Sequence, residues 1–333
     1  MKKLAPFVAG IAAMVFAAHA SADESIKVGT GPVTASGPLY IALERGYFAA
    51  EHINAEMVSM DAAQSVAQGV VAGALDIGAT AATAAAYNLA AKGGLKIIGG
   101  QGREVPGFHG AAILASNQAW DGGLRSLKDL AGRNVAIVQV GGPIHYELEL
   151  VNEKYGIDPK SQRLAALQGL SNVATALAGN NVEAGVNVST FALKLQDSGK
   201  AHILAWIGDE TPWQNTLIFV ATKTADERKP MIEAFMRAYK KAAHDYDAAF
   251  TGPDGKRKDG PTAPAILAIM SKYLNQPPEQ LAQGISYDDP DAKLDVKDVL
   301  HQIDWFKAQG MLPADADGAA MIDKRYAVPL GGW

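Results

Sequence analysis

At 333 residues the chain is long enough for two lobes, and 48 % hydrophobic with 20 % charged residues is an ordinary globular composition. A net charge of −5 argues against nucleic acid and anionic membrane surfaces as partners. Zero cysteines exclude disulfides, a cysteine nucleophile and a lipidated cysteine tether.

The first twenty-two residues read as an export signal. Lys2-Lys3 precedes an uncharged apolar run from Leu4 to Ala18, and small residues then offer cleavage after Ala20 or Ala22. The run is short for a membrane span. Cutting after Ala22 removes two lysines and no acids, which takes the net charge to −7. No later stretch has the length of uncharged apolar residues that a span requires, so a freely diffusing periplasmic protein is expected.

Next comes a strand candidate, Ile26-Lys27-Val28-Gly29, running into residues 35–48, ASGPLYIALERGYF. Ser36 and Gly37 suit a helix cap, Pro38 the first helical position, and Gly46 the end. Such a helix start presents unpaired N–H groups and a partial positive charge. Residues 53–58 alternate as a strand, 64–72 have helical spacing, 75–80 form a short buried strand, 81–92 a helix, and 95–98 another strand. Strands alternating with helices point to parallel α/β architecture.

The segment 99–110, with five glycines and a proline, reads as a crossing, after which 111–114 resumes a strand. A helical turn at 126–133 leads to a strand at Val135-Ala136-Ile137-Val138. That strand runs through Gly141-Gly142-Pro143 into a helix at 144–155, a second copy of the first device. Residues 162–167 read as a strand and 172–178 as a helix. Val66-Ala67 to Gly78 is echoed by Val173-Ala174 to Gly185, either as a repeated unit or as a coincidence of Ala/Gly-rich segments. A helix at 191–199, a strand at 201–205, a second crossing at 209–213 and a strand at 217–221 follow. The rest is mostly helical: 231–250, 263–274, 278–283 and 294–309.

These motifs together resemble the periplasmic binding proteins of ABC transporters of the alkanesulfonate, taurine, nitrate and thiamine-precursor type. The likeness rests on Ala35-Ser36-Gly37-Pro38-Leu39 with Gly46-Tyr47-Phe48, and on Gly73-Ala74-Leu75-Asp76-Ile77-Gly78. It rests also on the 126–132 turn leading to Gly141-Gly142-Pro143, and on Val182-Glu183-Ala184 with Ser198-Gly199. The resemblance implies the two-lobed α/β fold of type II, each lobe a mostly parallel sheet flanked by helices, joined by two crossing segments. The lobes would be residues 25–103 with 211–333, and 104–210, closing by a hinge on a small molecule. The chain departs from many relatives at Glu183 and Val188-Ser189-Thr190, where they carry an aspartate and an aromatic–acid–proline stretch. That leaves sulfonate, nitrate or amine specificity open. The cysteine motif of the thiamine-pyrimidine binders is also absent.

The candidate ligand contacts follow from these placements. Thr34, Ser36 and the N–H groups of Gly37 and Leu39 stand where the first helix begins, either donating to an anion or simply capping. Gly141, Gly142, Ile144 and His145 are the matching set, Pro143 having no N–H. His145 is either a neutral donor or packed on its own helix. Arg103 is a two-point clamp for a carboxylate or sulfonate, or a solvated hinge residue. Phe108 and His109 share its loop. Thr80 and Thr83 end one repeated strand, Asn187 and Ser189 the other. Trp213 either stacks on an aromatic ligand or wedges between lobes.

Enzyme motifs are missing. Gly29-Thr30-Gly31 lacks the third glycine of a dinucleotide loop, and there is no G-x-S-x-G, phosphate-binding G-x-x-x-x-G-K-[ST] or H-E-x-x-H. The seven histidines show no metal-ligand spacing. An enzyme on the same fold acting on a pyrimidine-like molecule, or a ligand sensor, are the alternatives. The expectation is a monomeric carrier of a small organic anion (a sulfonate or carboxylate, aromatic if Trp213, Phe108 and His109 line the site), without metal or cofactor, serving an ABC permease.

Overall fold

The computed structural model describes residues 23–332, so the expected signal peptide lies outside the described residues. In chain order the strands are β1 (Glu24–Thr30), β2 (Ile53–Ser59), β3 (Ile77–Ala81), β4 (Leu95–Gly100), β5 (Gly102–Glu104) and β6 (Ala111–Ser116). They continue as β7 (Asn134–Ile137), β8 (Arg163–Ala166), β9 (Ala184–Val188), β10 (Ala201–Trp206), β11 (Trp213–Gln214), β12 (Thr216–Ala221) and β13 (Tyr287–Asp288). In β1 the alternation is the cause of the strand: Ile26 and Val28 are buried while Ser25 and Lys27 face outward.

The strands form two five-stranded sheets of one design. The first runs β2-β1-β3-β12-β4, the second β8-β7-β9-β6-β10. In each, three parallel strands stand beside one antiparallel strand, β12 against β3 in the first and β6 against β9 in the second. The helix Ala63–Val71 delivers the chain to β3 and Leu170–Ala178 delivers it to β9. Both strands hold the central place, so the echo between residues 66–78 and 173–185 is an echo of position and not only of composition.

Between the sheets lies a three-stranded ribbon, β11-β5-β13. β5 leads from the first sheet to the second and β11 leads back. Gln214 on β11 fixes the ribbon: its amide donates to Gly102 O and Thr216 O (3.0 and 2.9 Å) and accepts from Asp295 N (3.0 Å). The C-terminal helices Lys229–Phe250 and Ala263–Leu274 bury Phe235, Tyr239 and Met270 in one cluster with Ile26 and Val28 of the first sheet.

The structure departs from the sequence reading in several places. Gly99 and Gly100 continue β4 instead of opening a crossing, because Gly100 pairs with Leu217. There Lys293 O occupies the space a side chain would need, so glycine marks a close approach and not a loop. Residues 117–121 form a helix capped by Ser116, and residues 207–210 form one where the second crossing was expected to begin. Ser189 opens the helix Ser189–Asp197 instead of ending a strand, since β9 stops at Val188.

A candidate ligand-binding cleft

A cavity of about 110 Å³ lies between the two sheets, where both strand–glycine–proline–helix units end. On the first side, the chain leaves β1, turns through Gly31-Pro32 and enters a 3-10 turn, Thr34–Ser36, before the helix Gly37–Glu44. This turn shifts the helix start. Its leading N–H groups belong to Val33, Thr34 and Ala35, which line the cavity, and not to Gly37 and Leu39. The Thr34 hydroxyl lies within hydrogen-bond distance of Gly284 O (2.9 Å) and Ser286 Oγ (2.7 Å). Ser36 is spent on Gly31 O and Thr30 Oγ1, Gly37 lies under Tyr246, and Leu39 belongs to the core. These three do not line the cavity.

Thr80 and Thr83 do line it, and Thr83 caps the helix Ala84–Ala91 by accepting from Ala86 N at 3.1 Å. Facing them, Gly142 and Ile144 line it at the start of the helix Pro143–Tyr155. Gly141 does not. It takes a positive φ of 74°, donates to His145 Nδ1 (3.2 Å), and accepts from Ala84 N (2.9 Å) on the opposite side of the cleft. His145 is therefore the brace of this turn, packed edge-on against Trp305 at 5.2 Å. Burial lowers its pKa to about 4, which keeps the imidazole neutral and able to accept that bond. Ser189 lines the cavity and donates to Gly284 O at 3.0 Å.

The remaining expected contacts lie outside the cavity. Arg103 pairs with Asp295 (3.5 Å), so its clamp role is replaced by an internal ion pair. Phe108 meets Tyr287 edge-on in the core, and His109 stacks on Trp206 at 4.2 Å. Asn187 donates to Leu170 O and accepts from Val188 N, both at 3.0 Å. Trp213 is buried edge-on against Tyr146 at 5.2 Å, in place of the expected ligand stack. Glu183 pairs with Arg133 at 2.8 Å and accepts from Asn134 N.

The cleft's distinctive chemistry lies in residues the sequence reading passed over. Glu147, on the Pro143–Tyr155 helix, lines the cavity and is 2 % exposed, and its Oε2 has no hydrogen-bond partner. Burial first, then the charge of Glu104, pushes its carboxyl well above the usual range, while the Trp213 indole lowers it. Glu104, on β5, is raised to about 7 by burial, against the lowering effect of Asn215 and the Ala111 and Gly110 amides. Asn215 Nδ2 donates to Glu104 Oε1 at 3.1 Å, and Asn215 itself lines the cavity. One sequence signal marked Glu147: it falls on the helix face of Ile144, Leu148 and Val151, where an acid is out of place. Among the described residues no Lys, Arg or His lines the cavity; its charged residues are Glu147 and Asp61, the latter exposed.

The sheet order, the two crossings and the cleft between equivalent helix starts are those of the periplasmic binding proteins. The family model described as NMT1/THI5 like matches residues 33–254, and the chain belongs to that family. Among solved structures it is similar to the alkanesulfonate-binding protein SsuA from Xanthomonas axonopodis pv. citri, bound to MOPS. The TM-score is 0.72 at 18 % identity, over 91 % of this chain and 99 % of that one. The aliphatic sulphonate binding protein SsuA from Escherichia coli gives 0.70 at 16 %, over 91 % and 98 %. The nitrate-binding protein NrtA from Synechocystis PCC 6803 gives 0.69 at 15 %, over 89 % and 84 %. At these identities the likeness shows the fold. No curated protein matches the sequence.

Proposed function

We propose that this chain is the solute-binding component of an ABC import system. It would be exported with residues 1–22 removed, act in the periplasm as a monomer, and hand one small organic molecule to a permease. The lobes would be residues 25–103 with 211–333, and 104–210, hinged at β5 and β11. The observation that supports this most is the cavity itself, enclosed between two equivalent strand–helix units. It is bridged by Ala84 N to Gly141 O (2.9 Å) and Ser189 Oγ to Gly284 O (3.0 Å). A volume of about 110 Å³ suits a guest of one ring or a short chain, since a dry cavity of roughly 150 Å³ accepts benzene.

The relatives named for sulfonates and nitrate favour a ligand with an anionic group, a sulfonate or carboxylate. In this cleft such a group would be held by backbone N–H groups, those of Val33 to Ala35 first, because among the described residues no cationic side chain lines it. Binding would be reversible and without chemistry. The hydroxyls of Thr34 and Ser189 are engaged with Gly284 O and Ser286 Oγ, and neither is hydrogen-bonded to a carboxylate or imidazole that could activate it. Native mass spectrometry of the purified protein, followed by thermal shift with small organic solutes, tests the reading. A ligand at one hundred times its Kd should stabilise the fold by about 2.7 kcal/mol and be recovered unchanged. A solute recovered as a product would overturn it.

A further inference from the structure

We propose that Glu147 anchors the ligand by accepting a hydrogen bond from a protonated nitrogen, so that the guest carries an amine, amidine or comparable cationic donor. This rests on the solute-binding reading and names the substrate class for the same cleft. Glu147 borders the cavity, is almost wholly buried, and leaves Oε2 without a partner. A buried carboxylate in that state is costly unless something supplies a donor or a countercharge. The protein supplies no countercharge, because no Lys, Arg or His among the described residues lines the cavity. The second acid, Glu104, already receives Asn215 Nδ2 and packs against Gly110, whose missing side chain makes room for its carboxylate. Glu104 also leaves its Oε2 without a partner, but it does not line the cavity; Glu147 does, and is the carboxyl a guest can reach.

The charge balance points the same way. A bare anion finds no countercharge in a lining whose titratable groups among the described residues, Glu147 and Asp61, are acids, and it would hold the Glu147 carboxyl in its neutral form. A protonated nitrogen offsets the burial and the Glu104 charge that hold Glu147 neutral, and lets it ionise as an acceptor. An anionic group elsewhere on the same molecule is compatible, since Val33, Thr34 and Ala35 at the other helix start also line the cavity. The nitrogen sets the preference.

The test is isothermal titration and thermal shift of the full mature chain with matched guests: butylamine and benzylamine against butyrate, benzoate and benzenesulfonate. The amines should stabilise the protein and the anions should not. Glu147→Gln keeps the size of the side chain and removes the charge. It should weaken amine binding about tenfold or more, as expected for a lost charge-assisted bond. The wild-type panel needs no variant to fold, so it stands by itself. Stabilisation by the anions alone, by all guests equally, or by none would overturn the anchor, as would a Glu147→Gln protein that keeps amine affinity within about twofold. Of these, only the absence of any binding also counts against a solute-binding cleft, which separates the two failures.

Discussion

The helices that begin at Gly37 and Pro143 occupy the same place in two sheets of the same strand order, yet they treat the cleft differently. Four residues after Pro38 stands Ala42, fully buried in the apolar cluster of the first half; four residues after Pro143 stands Glu147, at the cavity wall. The first unit begins with an extra 3-10 turn, because Ser36 Oγ reaches back to Gly31 O and folds the loop over itself. Its helix proper is thereby set behind backbone. The second unit has an extended Gly142 directly before Pro143, and its side chains reach the cavity. At these two helix starts, the first contributes amides and a hydroxyl, and the second a buried acid.

Exchanging that difference should give the largest effect. Ala42→Glu would place a carboxylate among Leu39, Tyr40 and Ile41 with no cavity to receive it, and should cost about 3–5 kcal/mol in urea denaturation. A cost below about 1 kcal/mol would mean that the two positions are equally open, and the comparison would fail. Gly110→Ala should come next. The added methyl would fall on Glu104 Oε1, forcing that carboxylate off Asn215 and costing about 1–3 kcal/mol. Glu104→Gln in the same background should recover little, since the collision is steric.

A smaller effect is expected from pH. The Glu104 carboxyl is held at about 7 in the fold, above its ordinary value of 4.5. Its contribution is therefore complete below about 4.5 and is lost as pH rises through about 7. His145, lowered from 6.5 to about 4, works in the opposite sense: its contribution is present above 6.5 and is lost as pH falls toward 4. The Tm of the empty protein should thus decline on both sides. Glu104→Gln should reduce the alkaline decline, leaving the part that Glu147 carries, and leave the acid one in place. An unchanged alkaline decline in Glu104→Gln would show that the acid is not the group titrating there.

The fold was legible because periodicity and glycine placement act locally. The helix at 263–274 and the repeated helix–strand units declare themselves within a dozen residues. The cleft was legible only where backbone position decides it, as at Thr34, Thr80, Thr83, Gly142, Ile144 and Ser189. Side chains chosen for their chemistry were another matter. Arg103 and Trp213 have the functional groups an anion or an aromatic ligand would need, but Asp295 and Tyr146 already hold them. Those partners lie 192 and 67 positions away in sequence, beyond any local pattern. Glu147 was overlooked for the converse reason. Its neighbours Ile144, Leu148 and Val151 read as a core stripe, and only the fold shows that one edge of the stripe meets a cavity.

The subtlest effect concerns Gly284, whose carbonyl lies within hydrogen-bond distance of Thr34 Oγ1 at 2.9 Å from one half and Ser189 Oγ at 3.0 Å from the other. Ser189→Ala removes one of these bonds. The carbonyl keeps the Thr34 contact and is not orphaned, so the cost should be only about 0.5–1 kcal/mol. Because the bond joins the two sides of the cleft, its loss should fall on the closed state. Ligand affinity should weaken about two- to fivefold with a faster off-rate, while the Tm of the empty protein barely moves. Thr34→Ala provides the contrast, since Leu281 and Ile285 on either side of Gly284 belong to the core cluster of the first half, as Leu39 after Thr34 does, so that bond stays within one half. If Ser189→Ala lowers the Tm of the empty protein as much as Thr34→Ala does and leaves the off-rate alone, the Ser189 bond belongs to the static fold and not to closure.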